Sequence, residues 1–167
     1  MPIFVAIRAA IYATAFIALW AWLATLVQPF DTILGIGIPP WVVAIGILIA
    51  AFGAMLLITC VVAFVQSGQG TPAPFDPPRE FVAIGPYLVV RNPMYIGAFS
   101  VIFGAALALR SVSIVCLGLA FLLAAHLFVV LYEEPSLQRR FGSSYADYKQ
   151  RVGRWIPKRG RQARGAI

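Results

Sequence analysis

Long apolar runs separated by short polar stretches predict that the chain crosses a membrane four times. The first two runs hold about 25 residues each, and a helix needs about 20 residues to span the hydrocarbon core of a bilayer. The third run has about 17 residues, which is at the short limit for crossing. The sequence therefore predicts an all-α integral membrane protein, with spans at residues 3–27, 41–65, 93–109 and 112–132.

The polar stretches between these runs predict turns and helix starts. A Gly/Pro-rich loop follows the second run and cannot continue a helix. Gly85-Pro86 is a turn pair, and a short extended run leads from it to the third helix. Asn92-Pro93 predicts an N-cap residue followed by a proline at the first helical position, where the missing N–H costs nothing.

The chain after the fourth run predicts a basic tail that lies against the membrane. Basic and aromatic residues alternate there, with an interruption predicted at Phe141-Gly142. Tyr145, Tyr148 and Val152 share one face of a short amphipathic helix of the interfacial kind. We therefore expect two N-terminal membrane helices in residues 1–66, and in residues 67–167 a unit of loop, two membrane helices and tail.

The distribution of charge predicts which side of the membrane each connection occupies. The chain is 61% hydrophobic and 11% charged, its formal net charge is +7, and its mean hydropathy is +0.88, which excludes an ordinary soluble domain. Nine of the thirteen Lys and Arg residues lie between Arg139 and Arg164. With four spans, these nine residues lie on the same side of the membrane as Arg8, Arg79 and Arg91. Arg110 lies on the other side, in the Arg110-Ser111 turn. The positive-inside rule then predicts cytoplasmic termini and a cytoplasmic loop, and the positive charge indicates topology rather than nucleic-acid binding.

Few residues suit metal or thiol chemistry. Cys60 and Cys116 both lie inside apolar runs, which is typical of small core residues and not of a disulfide framework. His126 is the one histidine, so a histidine-based metal site is not expected. A lone histidine in a membrane helix is more often hydrogen-bonded to a neighbouring helix than a ligand.

The stretch around the start of the third helix is the first candidate for a binding site. Arg91 and Asn92 lie at the positive end of the predicted helix dipole, beside backbone N–H groups without helical partners. Such a helix terminus suits a carboxylate or phosphate. The alternative is an arginine that follows the positive-inside rule beside an ordinary helix cap. Gly97 would let a ligand or a neighbouring helix approach closely, and Tyr87 and Tyr95 could place ring faces against a cation.

Two consecutive carboxylates at the end of the fourth run are the second candidate. Glu133 and Glu134 would lie at a helix C-terminus, where negative charge is unfavourable, so a functional role is favoured over a solvated helix end. The alternative pairs them with Arg139 or Arg140. Arg151 follows one turn after a tyrosine of the tail, and its simplest interpretation is one more contact to anionic lipid.

Three blocks of the C-terminal half resemble a known enzyme family. These blocks read G-T-P-A-P-F-D-P-P, then G-P-Y-L-V-V-R-N-P-M-Y-I-G, then E-E-P-S-L-Q-R-R-F-G-S-S-Y-A-D-Y-K-Q-R-V-G-R-W-I-P. In their order and spacing they resemble the isoprenylcysteine carboxyl methyltransferase family, whose bacterial members and related phospholipid N-methyltransferases share this half. The resemblance runs from about residue 68 to residue 157, whereas the first two spans match only as hydrophobic helices.

The resemblance implies an integral-membrane enzyme that binds S-adenosylmethionine near the cytoplasmic face, in a bacterial member at the inner membrane. It implies that Arg151, within Y-x-x-Y-x-x-R-V, lies near the acceptor group, together with a catalytic role for Glu134. The eukaryotic enzymes have His where this chain has Asn92, so proton transfer at that position is not expected here. The residues that the resemblance places around the cofactor are Tyr87, Arg91, Asn92, Pro93, Tyr95, Gly97, Glu133 and Glu134.

The sequence leaves the acceptor and two rival functions open. The expected acceptor is a lipophilic molecule with a carboxylate, thiol or amine; a carboxylate needs only an orienting arginine, whereas an amine needs a general base such as Glu134. A similar R-x-P-x-Y-x-G stretch occurs in some NADPH-dependent sterol reductases, which gives a second hypothesis. A third is a non-catalytic membrane protein whose basic tail binds anionic lipid.

Overall fold

The described part of the chain is mostly helical, as the apolar pattern predicts. A computed structural model describes residues 2–66 and 83–158. The predicted Gly/Pro-rich loop lies almost wholly outside these residues, as does the chain after residue 158. Within the described ranges no β-strand occurs, only an isolated parallel bridge between Val90 and Gly153. The helices are α1 (Pro2–Val27), α2 (Asp31–Leu34), α3 (Val42–Gln66), α4 (Pro93–Ala108), α5 (Val112–Phe128) and α6 (Glu134–Arg151).

Among the described residues, three helical segments are long and apolar enough to cross a membrane. They are Ala10–Leu34, Val42–Ala63 and the segment that begins at Val112. Polar residues follow from Glu133, so we take the apolar part of the third segment to end at Tyr132. Helix α4 is apolar but has only 16 residues, so a fourth crossing stays a prediction. The protein is thus an integral membrane protein with several apolar helices.

Glycines bring α3 and α4 into backbone contact. A Cβ atom added at Gly104 of α4 would lie 2.5 Å from the carbonyl oxygen of Gly46 and 2.5 Å from the amide nitrogen of Ala50, both on α3. One added at Gly53 of α3 would lie 2.6 Å from the carbonyl oxygen of Gly97. Because lipid supplies no hydrophobic drive for helix association, such close packing is what holds two membrane helices together. It fixes α4 along most of its length.

Helix α5 packs on the opposite side of α4 and closes the core. The buried side chains that α4 and α5 share are Ala98, Ile102, Ala106, Ile114, Phe121 and Ala125. Trp20 of α1 meets Phe121 edge-on, with ring centroids 4.9 Å apart. The described helices therefore pack around α4 and α5.

The predicted turn between α4 and α5 is confirmed. Arg110 adopts a left-handed φ of 55°, and the Ser111 hydroxyl caps α5 by accepting from Ile114 N at 3.1 Å. Asp31 accepts from the Ser113 backbone N–H at 2.8 Å, so the connection between α1 and α3 supplies a second cap for the same helix. These contacts set the position of the N-terminal end of α5, the end far from Glu133 and Glu134.

The other end of α5 differs from the prediction. The α-helical part ends at Phe128, and a π-helical turn occupies Val129–Glu133 before the chain continues directly into α6. A π turn inserts extra residues into the helical register and so rotates the helix beyond it. The predicted interruption is confirmed at Gly142, whose φ of 52° and ψ of −124° are not helical. Beyond it, the predicted apolar face of Tyr145, Tyr148 and Val152 is buried as one cluster.

Candidate functional site

The start of α4 is joined to the tail by backbone hydrogen bonds. Gly85–Leu88 forms a 3₁₀ turn, and the extended residue Val90 then pairs with Gly153. The Arg91 backbone N–H donates to the Gly153 carbonyl at 2.8 Å. The tail after α6 therefore lies directly against the N-terminus of α4.

The side chain of Asn92 performs a different task from the one predicted. Asn92 occupies the N-cap position of α4, but its side chain accepts no hydrogen bond from the first helical turn. Instead its Nδ2 donates to the Arg154 carbonyl at 3.2 Å. The predicted N-cap position of Asn92, with Pro93 at the first helical position, is therefore confirmed, but the side chain binds the docked tail and does not cap the helix.

Glu134 lies at the centre of a cluster of positive charges. Its side chain is 8% exposed, and Oε1 lies 3.1 Å from Arg91 Nη2. Arg154 binds the same carboxylate with two hydrogen bonds, from Nε at 2.7 Å and from Nη2 at 3.0 Å. Lys149 is more distant, at 3.9 Å. A buried carboxylate is tolerated when it is paired and hydrogen-bonded in this way, so the cluster holds the start of α4, the start of α6 and the tail together.

The two consecutive carboxylates have different electrostatic surroundings. Burial alone would raise the pKa of Glu134, but the hydrogen bond from Arg154 and the charge of Arg91 outweigh it and lower that pKa below its usual range. Glu133 accepts a hydrogen bond from the Tyr95 hydroxyl at 3.0 Å. That bond lowers its pKa less than burial raises it, so the pKa of Glu133 is above its usual range. Glu133 is therefore the carboxylate that more readily takes up a proton.

Arg91 keeps unused hydrogen-bonding capacity. Its side chain is 9% exposed, and Nη2 binds Glu134. Nε and Nη1 are buried and have no hydrogen-bond partner within residues 2–66 and 83–158. Buried donors without partners are rare in folded proteins and call for an explanation.

Arg151 does not join this cluster. Its side chain is exposed, and its Nε makes a long contact of 3.4 Å to the Asp147 carbonyl, one turn back on the same helix. Arg154 takes the place beside Glu134 instead. The helix ends at Arg151 and Val152 is extended, so the residues beyond it turn back towards α4. Sequence reasoning missed Arg154 and Trp155, although the helix-breaking Gly153 before them was a usable signal.

The remaining predicted residues pack against the elements that form the site. Tyr87 is buried, and its carbonyl accepts a hydrogen bond of 2.6 Å from the Tyr148 hydroxyl. Pro93 is the buried first residue of α4. A Cβ at Gly97 would meet Gly53 O and Leu57 Cγ of α3, both at 3.0 Å. Gly97 therefore faces the neighbouring helix, which is one of the two possibilities that its lack of a side chain offered.

A lateral groove opens between α4 and α5 beside these residues. Its volume is about 450 Å³. Trp155 lies over one end, where its indole N–H donates to His126 Nδ1 at 3.1 Å. The Trp155 ring also meets Tyr95 edge-on, with centroids 6.3 Å apart. The groove is lined by Ile96, Phe99, Leu119, Leu122, Leu123, His126 and Trp155.

Comparison with known proteins identifies the family. The family model described as "Phospholipid methyltransferase" matches residues 41–144, which is more than half of the chain. No curated protein and no solved structure matches the chain. The matched residues include α4, α5, the π turn and the carboxylates at its end. With its apolar helices and its buried charged cluster, the chain belongs to the phospholipid methyltransferase family, and that family implies a membrane methyltransferase.

Proposed function

We propose that the protein transfers a methyl group from S-adenosylmethionine to a lipophilic acceptor at the cytoplasmic surface of the membrane. The observation that carries the proposal is the cluster in which Arg91, Glu134 and Arg154 meet at the junction of α4, α6 and the tail. The family match supports methyl transfer, and the positive-inside distribution supports the cytoplasmic side.

The free donors of Arg91 fit the carboxylate of such a cofactor. A planar guanidinium binds carboxylates through parallel N–H groups, and Arg91 has both Nε and Nη1 available among the described residues. The start of α4 adds the positive end of a helix dipole. Glu134 and Arg154 hold Arg91 in place, so the anion would meet a donor that is already oriented.

Glu133 and Tyr95 fit the cationic part of the cofactor. A sulfonium is attracted to carboxylates and to the faces of aromatic rings. Glu133 and Tyr95 are hydrogen-bonded to each other, and Trp155 lies beside Tyr95. When bound, S-adenosylmethionine supplies an activated methyl group, and these residues would orient it.

The raised pKa of Glu133 also changes which carboxylate suits acid–base work. An acceptor whose reactive group is an amine would arrive protonated and would need a general base. A base works best when its pKa lies close to the working pH. Glu134, whose pKa is lowered by its ion pairs, is poorly suited to that role. We therefore assign base catalysis, where the acceptor requires it, to Glu133, and we assign the orientation of Arg91 to Glu134. A carboxylate or thiolate acceptor would need no base at all.

Calorimetry with the purified protein in detergent tests the proposal. The unaltered chain should bind S-adenosylmethionine, and Arg91→Ala and Glu134→Gln should each abolish binding because both disrupt the cluster. The matched control is Arg139→Ala, since Arg139 is an exposed arginine near the site. Transfer of tritium from labelled cofactor into membrane lipids or prenylated thiols then identifies the acceptor. Absence of cofactor binding by the unaltered, folded protein would disprove the proposal.

A further inference from the structure

His126 is the polar side chain in a groove that is otherwise lined by hydrocarbon and aromatic rings. The groove's other lining residues are aliphatic or aromatic, and His126 is half-buried among them. A polar group at this depth in an apolar surface is costly unless it is hydrogen-bonded. One of its two ring nitrogens, Nδ1, has a hydrogen-bond partner, and the other is Nε2.

The contact with Trp155 determines which ring nitrogen bears the proton. An indole N–H can only donate, so the His126 Nδ1 atom that it approaches at 3.1 Å must accept. In the neutral form of the imidazole the hydrogen then lies on Nε2. Within residues 2–66 and 83–158 the hydrogen bond found for the His126 ring is the one at Nδ1, and Nε2 is not among the fully buried atoms that lack a partner. Nε2–H is thus a donor available to a molecule in the groove.

Two aromatic rings lie between the groove and Glu133. Trp155 covers one end of the groove and contacts Tyr95, whose hydroxyl binds Glu133. His126 and Glu133 are seven residues apart along α5 and the π turn, which corresponds to a rise of about 10 Å. A lipid whose reactive group lies at Glu133 would therefore have the junction between its polar part and its hydrocarbon chain near His126.

We propose that His126 is a specificity-determining residue: the groove holds one hydrocarbon chain of the acceptor, and Nε2–H donates a hydrogen bond to an oxygen where that chain begins. The inference rests on the proposed function and adds to it a requirement on the acceptor. The matching chemistry is an ester carbonyl or a hydroxyl at the junction. A chain without an oxygen there would leave the donor unpaired and should bind at least about tenfold more weakly.

A fluorescence experiment without methyl donor tests this inference separately from methyl transfer. Trp155 is made the single indole by Trp20→Phe, Trp22→Phe and Trp41→Phe, and the protein is placed in nanodiscs. The probes are the methyl ester of 9,10-dibromostearic acid, the corresponding dibrominated alcohol and 9,10-dibromooctadecane, all of which quench a nearby indole. We expect the ester or the alcohol to quench Trp155 at least about tenfold more effectively than the hydrocarbon. The stronger quencher of the two shows whether His126 prefers a carbonyl or a hydroxyl oxygen.

Two variants of His126 separate recognition from structure. His126→Gln can still accept from Trp155 and donate to the probe, so the preference for an oxygen should persist. His126→Leu keeps the volume but removes the donor, so the three probes should become equivalent while the thermal unfolding temperature shows that the protein is folded. Equal quenching by all probes in the unaltered histidine chain, or a preference that survives His126→Leu, would overturn the inference. Neither result depends on S-adenosylmethionine, so a failure of the proposed function would be seen separately by calorimetry.

Discussion

Glu133 and Glu134 are consecutive residues that bind different partners. Glu134 faces Arg91 and Arg154, whereas Glu133 binds the Tyr95 hydroxyl. Successive helical residues point in directions about 100° apart, so one pair of neighbours can serve two sides of a site. The ion pairs lower the pKa of Glu134, which joins the cluster, whereas burial raises the pKa of Glu133.

At the scale of single residues, a comparison of two nearby arginines tests the cluster. Arg154→Ala should destabilise the protein by about 1–3 kcal/mol, because it leaves the buried Glu134 carboxylate with fewer charged hydrogen bonds. It should also weaken cofactor binding. Arg151→Ala removes an exposed side chain and should change stability by no more than about 0.5 kcal/mol. Thermal unfolding in detergent and calorimetry with S-adenosylmethionine measure both effects.

The structure gives Arg154 the larger role in the cluster, whereas the resemblance places Arg151 near the acceptor and so predicts that Arg151 matters more for turnover. It implies that Arg151→Ala mainly reduces the rate of methyl transfer and leaves folding and cofactor binding intact. A large loss of turnover with Arg151→Ala, together with no effect of Arg154→Ala, would show that the tail rearranges when substrate binds. Rates measured for both variants at saturating cofactor decide between the two arginines.

Individual residues also show what sequence reasoning could reach. The predicted four-span topology would bring Arg91 and Glu134 to one side of the membrane, and the structure pairs them at 3.1 Å. The identity of the second arginine depends on where α6 ends and on the pairing of Val90 with Gly153. Gly153 signals that the helix ends before Arg154, but a pairing between residues so far apart along the chain leaves no local signal of which arginine meets Glu134.

At the scale of elements, the contact between α3 and α4 is the feature most sensitive to added volume. Gly104→Ala would push a methyl group into the backbone of α3 and should cost about 1–3 kcal/mol. Gly37→Ala is the matched control, since a Cβ at Gly37 meets no atom within 4 Å. Unfolding in increasing mole fractions of dodecyl sulfate compares the two. Equal stability of the two variants would mean that the helices do not pack this closely in a membrane.

The long helices were largely predictable, whereas α2 and the π turn were not. Apolar runs and turn residues predict α1, α3 and α4 to within a residue or two, because helix length and proline position are local properties. The π turn at Val129–Glu133 was not predicted, since its residues are as compatible with an α-helix. The π turn occurs together with packing of the tail against α4, a contact between distant parts of the chain that a local pattern does not show.

At the scale of the whole molecule, the arrangement in the membrane stays a prediction that labelling can test. In a chain without its own cysteines (Cys60→Ala, Cys116→Ala), single cysteines are introduced by Ile36→Cys and by Ser144→Cys. A maleimide that cannot cross membranes should label the first in intact cells and the second only after permeabilisation. Both positions are exposed, so a reagent can reach them. Labelling of both from outside would mean that one helix fewer crosses.

The docking of residues 152–155 against the start of α4 bears on how the protein is made. A ribosome synthesises the chain from its N-terminus, and the described helices of the membrane part precede Gly153 and Arg154 in that order. During synthesis Glu134 and Arg91 are therefore present at the membrane before Arg154, the partner that completes their charge balance. The cluster can form only after residues 152–155 have emerged, so its assembly follows insertion of the helices.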